Sequence, residues 1–224
     1  MPTSAKPKPD DLNEDQEYDL ILLQKWGFVR VNGSGESITK IYAEFENLIN
    51  KRLCAFVEIG TYFTSLGGHQ NMAATTGYTI TLNPLGKVGA DIEAVCINAN
   101  RPVPRKSDRF EGVSMVSDNV ALFIKECQKT YSSSSARGGS SLFDEILNES
   151  RQDEKAMVIQ AGVWALTDRY SHHQIVNHLS LKDSRGNISR PINARHIMKA
   201  AEILIKLRIC PDSFLREHNG GSLK

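Results

Sequence analysis

YTITLNPLGKVGADIEAVCI (78–97) decides how this chain folds. Tyr78, Ile80 and Leu82 alternate with Thr79 and Thr81, and the run stops at Asn83-Pro84, the pattern of a half-buried strand with a turn behind it. Further on, Ile92, Ala94 and Cys96 share one face while Glu93, Val95 and Ile97 share the other, which predicts a second strand. Working back towards the amino terminus, Leu53, Ala55, Val57 and Ile59 keep one apolar face within 52–63, and 38–45 is rich in β-formers. Four or five strands with short turns and no helical crossover between them predict an antiparallel sandwich or barrel and argue against a parallel α/β plan. Ahead of these, YDLILLQKWGFVRV (18–31) reads as a first strand after a short lead-in, with Asn32, Gly33 and Gly35 of VNGSGES (31–37) forming a hairpin turn. GSGES lacks the lysine and the later glycine of a phosphate-binding loop.

After RPVPRKSDRF (101–110) the period changes to a helical one. Val120, Phe123, Ile124 and Cys127 recur at helical spacing behind Ser117-Asp118. SSSSARGGSS (132–141) reads as a mobile connector, followed by a short amphipathic turn at Leu142, Phe143, Ile146 and Leu147. A strong helix is predicted from Asp153 to Leu166, with Met157, Ala161 and Trp164 on its apolar side. Ser171 and Gln174 have the form of a capping box, and Pro191 and Asn193 introduce a last helix with Ile197, Ala201 and Leu204 as its stripe. The predicted class is α+β, an antiparallel β-sandwich or barrel front half followed by a helical back half. The expected divisions are a disordered arm over 1–19, a β subdomain over 20–110, a helical subdomain over 111–210 and a flexible tail over 211–224.

The chain has 224 residues, with 27 Lys+Arg against 26 Asp+Glu and 40% hydrophobic residues. That balance supplies no global field for nucleic acid or an anionic membrane, so neither is an expected partner. No apolar run approaches the roughly 20 residues that span a bilayer. MPTSAKPKPDDLNEDQEYD (1–19) lacks the charged-then-apolar order of a secretory signal, and a cytoplasmic location is the expectation. Cys54, Cys96, Cys127 and Cys210 stand apart without a CxxC pair, as reduced core thiols do.

Candidate chemistry is sparse. His172, His173 and His178 in YSHHQIVNHL (170–179) stand one, five and six apart, whereas two helical metal ligands need intervals of three or four, so a solvated helix face is expected and no metal. His69, His196 and His218 are isolated, and the acid pairs Glu44/Glu46 and Asp144/Glu145 lie in polar settings. No cofactor motif is present. Arg101, Arg105, Lys106 and Arg109 could touch phosphate, but the prolines flanking Val103 suit a sheet-to-helix linker.

The most informative pair is Cys96 in EAVCINANRPVP (93–104) and Gln160 in VIQAGVWALTD (158–168). A strand cysteine followed by Asn and Pro, then a helical Gln-Ala-x-x-Trp with a Thr-Asp exit, resembles the thioester domains of bacterial surface proteins over roughly residues 53–168. The resemblance implies that the Cys96 sulfur attacks the Gln160 carboxamide, releases ammonia and leaves an internal acyl electrophile that a target amine can open. Val95 stands where that family often has an aromatic, and Ile159 replaces its usual threonine. Apart from the resemblance, Cys96 reads as a core thiol and Gln160 as a helix-surface amide.

EIGTYFTSLGGHQNM (58–72) has three glycines for sharp turns, and Tyr62, His69 and Gln70 are candidate exposed binding residues on a recognition loop. The primary expectation is a non-catalytic interaction or assembly module that binds a protein partner, or its own copies, through loops and the amino-terminal arm. The alternative is a thioester-type covalent binding domain using Cys96 and Gln160.

Overall fold

The computed structural model describes residues 5–132, 142–179, 181–182 and 188–214; of 142–149, 181–182 and 188–189 it describes the backbone only. In chain order the elements are a 3-10 turn at Pro9–Asp11, β1 (Glu17–Asp19), α1 (Leu20–Lys25), β2 (Val29–Ser37), β3 (Lys40–Asn47), β4 (Leu53–Val57), β5 (Thr61–Ser65), β6 (Asn71–Ala74), β7 (Tyr78–Leu82), β8 (Lys87–Ile97) and β9 (Arg109–Met115). The helices α2 (Asp118–Ser132), α3 (Leu142–Thr167) and α4 (His172–His178) follow, then β10 (Leu181–Lys182), β11 (Ile188–Ser189) and α5 (Ala194–Lys206). The fold is α+β, as the alternation predicts, and contacts divide it into two units: Met1–Cys96 with Arg101–Val116, and Ile97–Asn100 with Ser117–Lys224. Among the described residues no helix is long and apolar enough to cross a membrane.

The first unit is a closed barrel of strand order β2-β3-β8-β6-β5-β9, accompanied by a three-stranded sheet β1-β4-β7. Closure leaves the barrel without an open edge. Its wall alternates as a half-buried sheet must: Val29, Val31, Ile41, Ala43, Phe45, Phe63, Ile92, Ala94 and Phe110 are buried, while Arg30, Lys40, Tyr42 and Glu111 face out. At its far end β8 is buried on both faces, Val95 and Cys96 alike. Asn47 ends β3 inside the protein, and its amide nitrogen donates to Lys51 O at 2.8 Å and Asn83 O at 2.9 Å while Oδ1 accepts from Ile49 N at 3.1 Å. One side chain thereby fastens two turns.

Several local expectations are corrected. Residues 20–25 are helical instead of extended: Asp19 caps them by accepting the Leu22 N–H at 2.9 Å, and a short apolar run carries no period that separates helix from strand. Asn32, Gly33 and Gly35 lie inside β2, and the hairpin turns at 37–40. Gly35 has a steric reason, since a Cβ there would collide with the Arg105 carbonyl. The segment 101–108 is no sheet-to-helix linker, because it leads into β9, which completes the barrel. From Pro9 onward the expected arm is structured: Leu12 is buried, Lys51 Nζ donates to Asp10 O at 2.8 Å, and β1 pairs in parallel with β4. The serine-rich connector lies outside the described residues except for Ser132, as does the tail beyond Phe214.

The second unit is helical apart from the β10-β11 pair. α2 buries Val120, Phe123, Ile124 and Cys127, and α5 buries Ile197, Ala201 and Leu204, the stripes read from the sequence, together with Ala200 and Ile203. α3 continues the predicted Asp153–Leu166 helix upstream to Leu142. The capping box at Ser171 and Gln174 is formed, and Asn193 caps α5 in the same way through His196. α2 and α3 touch where Gly162 faces the Phe123 ring, and a Cβ at 162 would overlap that ring. Gly162→Ala is therefore expected to destabilise the protein by about 1–3 kcal/mol through overpacking, and Phe123→Leu in the same chain should recover part of the loss. Urea unfolding checks both; a Gly162→Ala protein as stable as wild type would show that the helices cross elsewhere.

Candidate functional site

The residues predicted to form a recognition loop lie at one end of the barrel. Tyr62 is not on the loop: it sits within β5, half-buried, paired with Ala73 and Ser114. The loop proper is 66–70, between β5 and β6, and it rests on the 101–108 connection. Gln70, expected to be exposed, is fully buried. Its backbone N–H donates to Pro102 O at 2.9 Å and its Nε2 to Arg101 O at 2.9 Å, so it acts as a clamp between loop and connection. Gln70 Oε1 and Ser65 Oγ are buried without a hydrogen-bond partner among the described residues.

Asp108 fixes the connection. Its Oδ2 accepts the Arg105 N–H at 2.5 Å, its own N–H donates to Arg105 O at 2.9 Å, and its carbonyl accepts from Gly35 N at 3.2 Å. Asp108 Oδ1 lies 3.3 Å from His69 Nδ1, within ion-pair range but outside hydrogen-bond geometry. Leu66 N–H donates to Arg109 O at 2.9 Å, which ties the loop to the start of β9. Loop and connection thus form one tethered rim, with Leu66 held out at 61% exposure on the loop and Arg101, Arg105, Lys106 and Arg109 exposed along the connection and at the start of β9. A strand-to-strand loop carries no periodicity, so the sequence offered only glycines as a sign of it; the Gln70 clamp and the exposed Leu66 had no signal.

The two residues of the thioester resemblance belong to different units, Cys96 to the first and Gln160 to the second. Cys96 is fully buried at the end of β8, its Sγ 3.4 Å from Met72 Sδ and 3.9 Å from Ile38 O. Burial pushes its thiol up to about 12, far from the thiolate range that nucleophilic attack uses. Gln160 lies on α3 and is buried, not a surface amide.

In the second unit the histidines also differ from a solvated face. His173 is exposed, but His178 is half-buried with its ring 4.8 Å from Trp164 and 5.6 Å from Tyr170, and His172 stands 4.3 Å from Phe214. Among the described residues no three metal-binding side chains gather. α2, α3 and α5 line a cavity of about 380 Å³ with Tyr131, Arg151, Glu154, Arg195 and Lys199. Glu154 accepts from Lys199 Nζ at 2.8 Å and Arg195 Nε at 3.1 Å, and the Lys199 hydrogen bond above all holds its carboxyl below the usual glutamate value. Lys206, 2.6 Å away, does the same for Glu126. Burial pushes the Tyr131 hydroxyl up to about 12.

These shifts fix an acid response. Burial lowers His178 and His196 below 6.5, so the unfolded chain takes up their protons first and stability falls as the pH drops through 6.5. The carboxylates of Glu126 and Glu154, depressed in the fold, contribute fully above 4.5 and lose their contribution as the pH falls below it. Thermal unfolding across that range is expected to show a falling midpoint in both windows, and a flat midpoint between about pH 7 and about pH 5 would contradict the histidine assignment. No protein-family model matches the chain, and comparison with curated proteins and with solved structures gives no significant match.

Proposed function

We propose that the chain is a non-catalytic interaction or assembly module that engages a protein partner through the loop end of its barrel. The observation that carries this is Leu66, a large apolar side chain held 61% exposed on a loop tied on both flanks, by Leu66 N to Arg109 and by Gln70 to residues 101 and 102. A loop already ordered gives up little conformational entropy on binding, and covering a leucine contributes up to roughly 1.5–3 kcal/mol. Protein partners meet such surfaces with a buried apolar centre and a polar rim, and exposed Arg109, whose carbonyl accepts the Leu66 N–H, adjoins Leu66 here. A photoreactive residue placed at position 66 is expected to cross-link a partner or a second copy. The same residue at Leu85, 63% exposed on the turn after β7, serves as the control and should not. No cross-link from position 66, or equal products from both positions, removes the proposal.

A second reading, the covalent one, has in its favour that Cys96 and Gln160 are both buried, as an acyl bond kept from water requires. The raised Cys96 thiol weighs against it. Bond formation expels ammonia, so intact mass decides: a mass about 17 Da below that of the sequence, which denaturation with methylamine raises by about 31 Da as the amine opens the bond to a methylamide and frees the thiol, establishes the thioester, and the full sequence mass, unchanged by methylamine, eliminates it.

A further inference from the structure

We propose that the barrel rim carries a binding site for an acidic segment of a protein partner, built on Arg101, Arg105 and Arg109. The inference rests on the interaction reading above and adds the chemistry of the partner.

Three observations carry it. First, the arginine positions are fixed to the same end of the barrel by separate tethers. Arg101 O accepts from Gln70 Nε2, the Arg105 backbone is pinned by Asp108 and lies against Gly35, and Arg109 O accepts from Leu66 N. Their guanidinium groups are therefore carried on backbone that has no ordering left to lose.

Second, the nearby acids do not pair with these arginines. Glu36 pairs with Lys106 at 3.4 Å, and Asp108 is committed to the Arg105 N–H and to His69, with only 13% of its side chain exposed. Glu111, the next outward-facing residue of β9 after Arg109, makes no ion pair with it. Among the described residues none of the three arginines forms an ion pair, so three exposed guanidiniums, each with five donors in a planar fork, have no carboxylate to receive them. An arriving carboxylate supplies the missing acceptor.

Third, the rim suits a peptide better than a nucleic acid. Residues 65–70 and 101–109 contain no Phe, Tyr or Trp on which a base could stack, and the adjoining Phe110 is buried. The whole chain has a formal charge of only +1, too little for long-range capture of a polyanion. Exposed Leu66 beside Arg109 instead asks for an apolar residue among the acids.

Fluorescence anisotropy of the full chain with a labelled glutamate-rich peptide containing a single leucine tests this. Binding is expected to weaken roughly tenfold as salt rises from about 0.05 M to about 0.3 M, because the screening length falls from roughly 14 Å to roughly 6 Å. A chain with Arg101→Ser, Arg105→Ser and Arg109→Ser should lose at least about tenfold in affinity while keeping its thermal midpoint, since exposed substitutions change stability little. The corresponding Arg→Lys chain, which keeps every charge, should retain part of the binding because lysine lacks the bidentate fork. The proposal is overturned if the wild-type chain does not bind the peptide, if the serine chain binds as wild type does, or if a single-stranded oligonucleotide binds more tightly than the peptide. A cross-link from position 66 that persists while the peptide fails to bind sinks the acidic partner alone; loss of both sinks the interaction reading as well.

Discussion

The close approach of two backbones at Gly35 is the constraint on which the rest of the barrel end depends. β2 meets β3 along one side and β9 along the other, with Ser34 opposite Arg109, and the connection entering β9 passes so near that only a hydrogen fits at Gly35. Its N–H donates to Asp108 O across the same gap. Because the strand order closes on itself here, a side chain at 35 would push the 101–108 connection outward and carry with it the Asp108 turn, the Gln70 clamp and the arginines. The energetic logic is that of a ring: one misplaced link forfeits hydrogen bonds in strands on both sides of it.

The rim that results is stiff for reasons independent of any strand. Gln70 fills two roles with one residue, its main chain and its amide both holding the connection, and Asp108 closes its own turn by accepting the Arg105 N–H through Oδ2. Such side-chain to backbone bonds let a stretch without regular structure hold a fixed shape, which is what a surface offered to a partner needs. In the helical unit a comparable economy appears at Gly162, where the missing side chain lets α3 come up against Phe123.

Particular residues show why the fold was largely legible and the site was not. The alternation of Tyr78, Ile80 and Leu82 is a strand in the structure over the same residues, and Ser171 with Gln174 and Asn193 cap the helices they announce. These signals are local, since side-chain period and capping reside within a few neighbours. LILLQK at 20–25 misleads because a six-residue run with four apolar side chains in a row fits either a strand or a helix, and only the Asp19 cap separates them. Gly33 and Gly35 mislead for another reason: a glycine required for a turn and one required for a close approach are the same letter. Gln70 resembles a loop amide and is a buried clamp, because its acceptors on Arg101 and Pro102 lie far along the chain.

By itself the sequence determined the order of the classes, strands before helices, together with the apolar faces and the helix caps, because each is written in spacings of a few residues. Only the tertiary structure decided that the strands close into a barrel instead of facing one another as a sandwich, that the arginine-rich connection returns to complete it, and that Leu66 stays outside while Gln70 goes in. The reason is that closure and burial depend on which distant segments meet, and that choice is made by steric fit and hydrogen-bond pairing between residues that no local pattern relates.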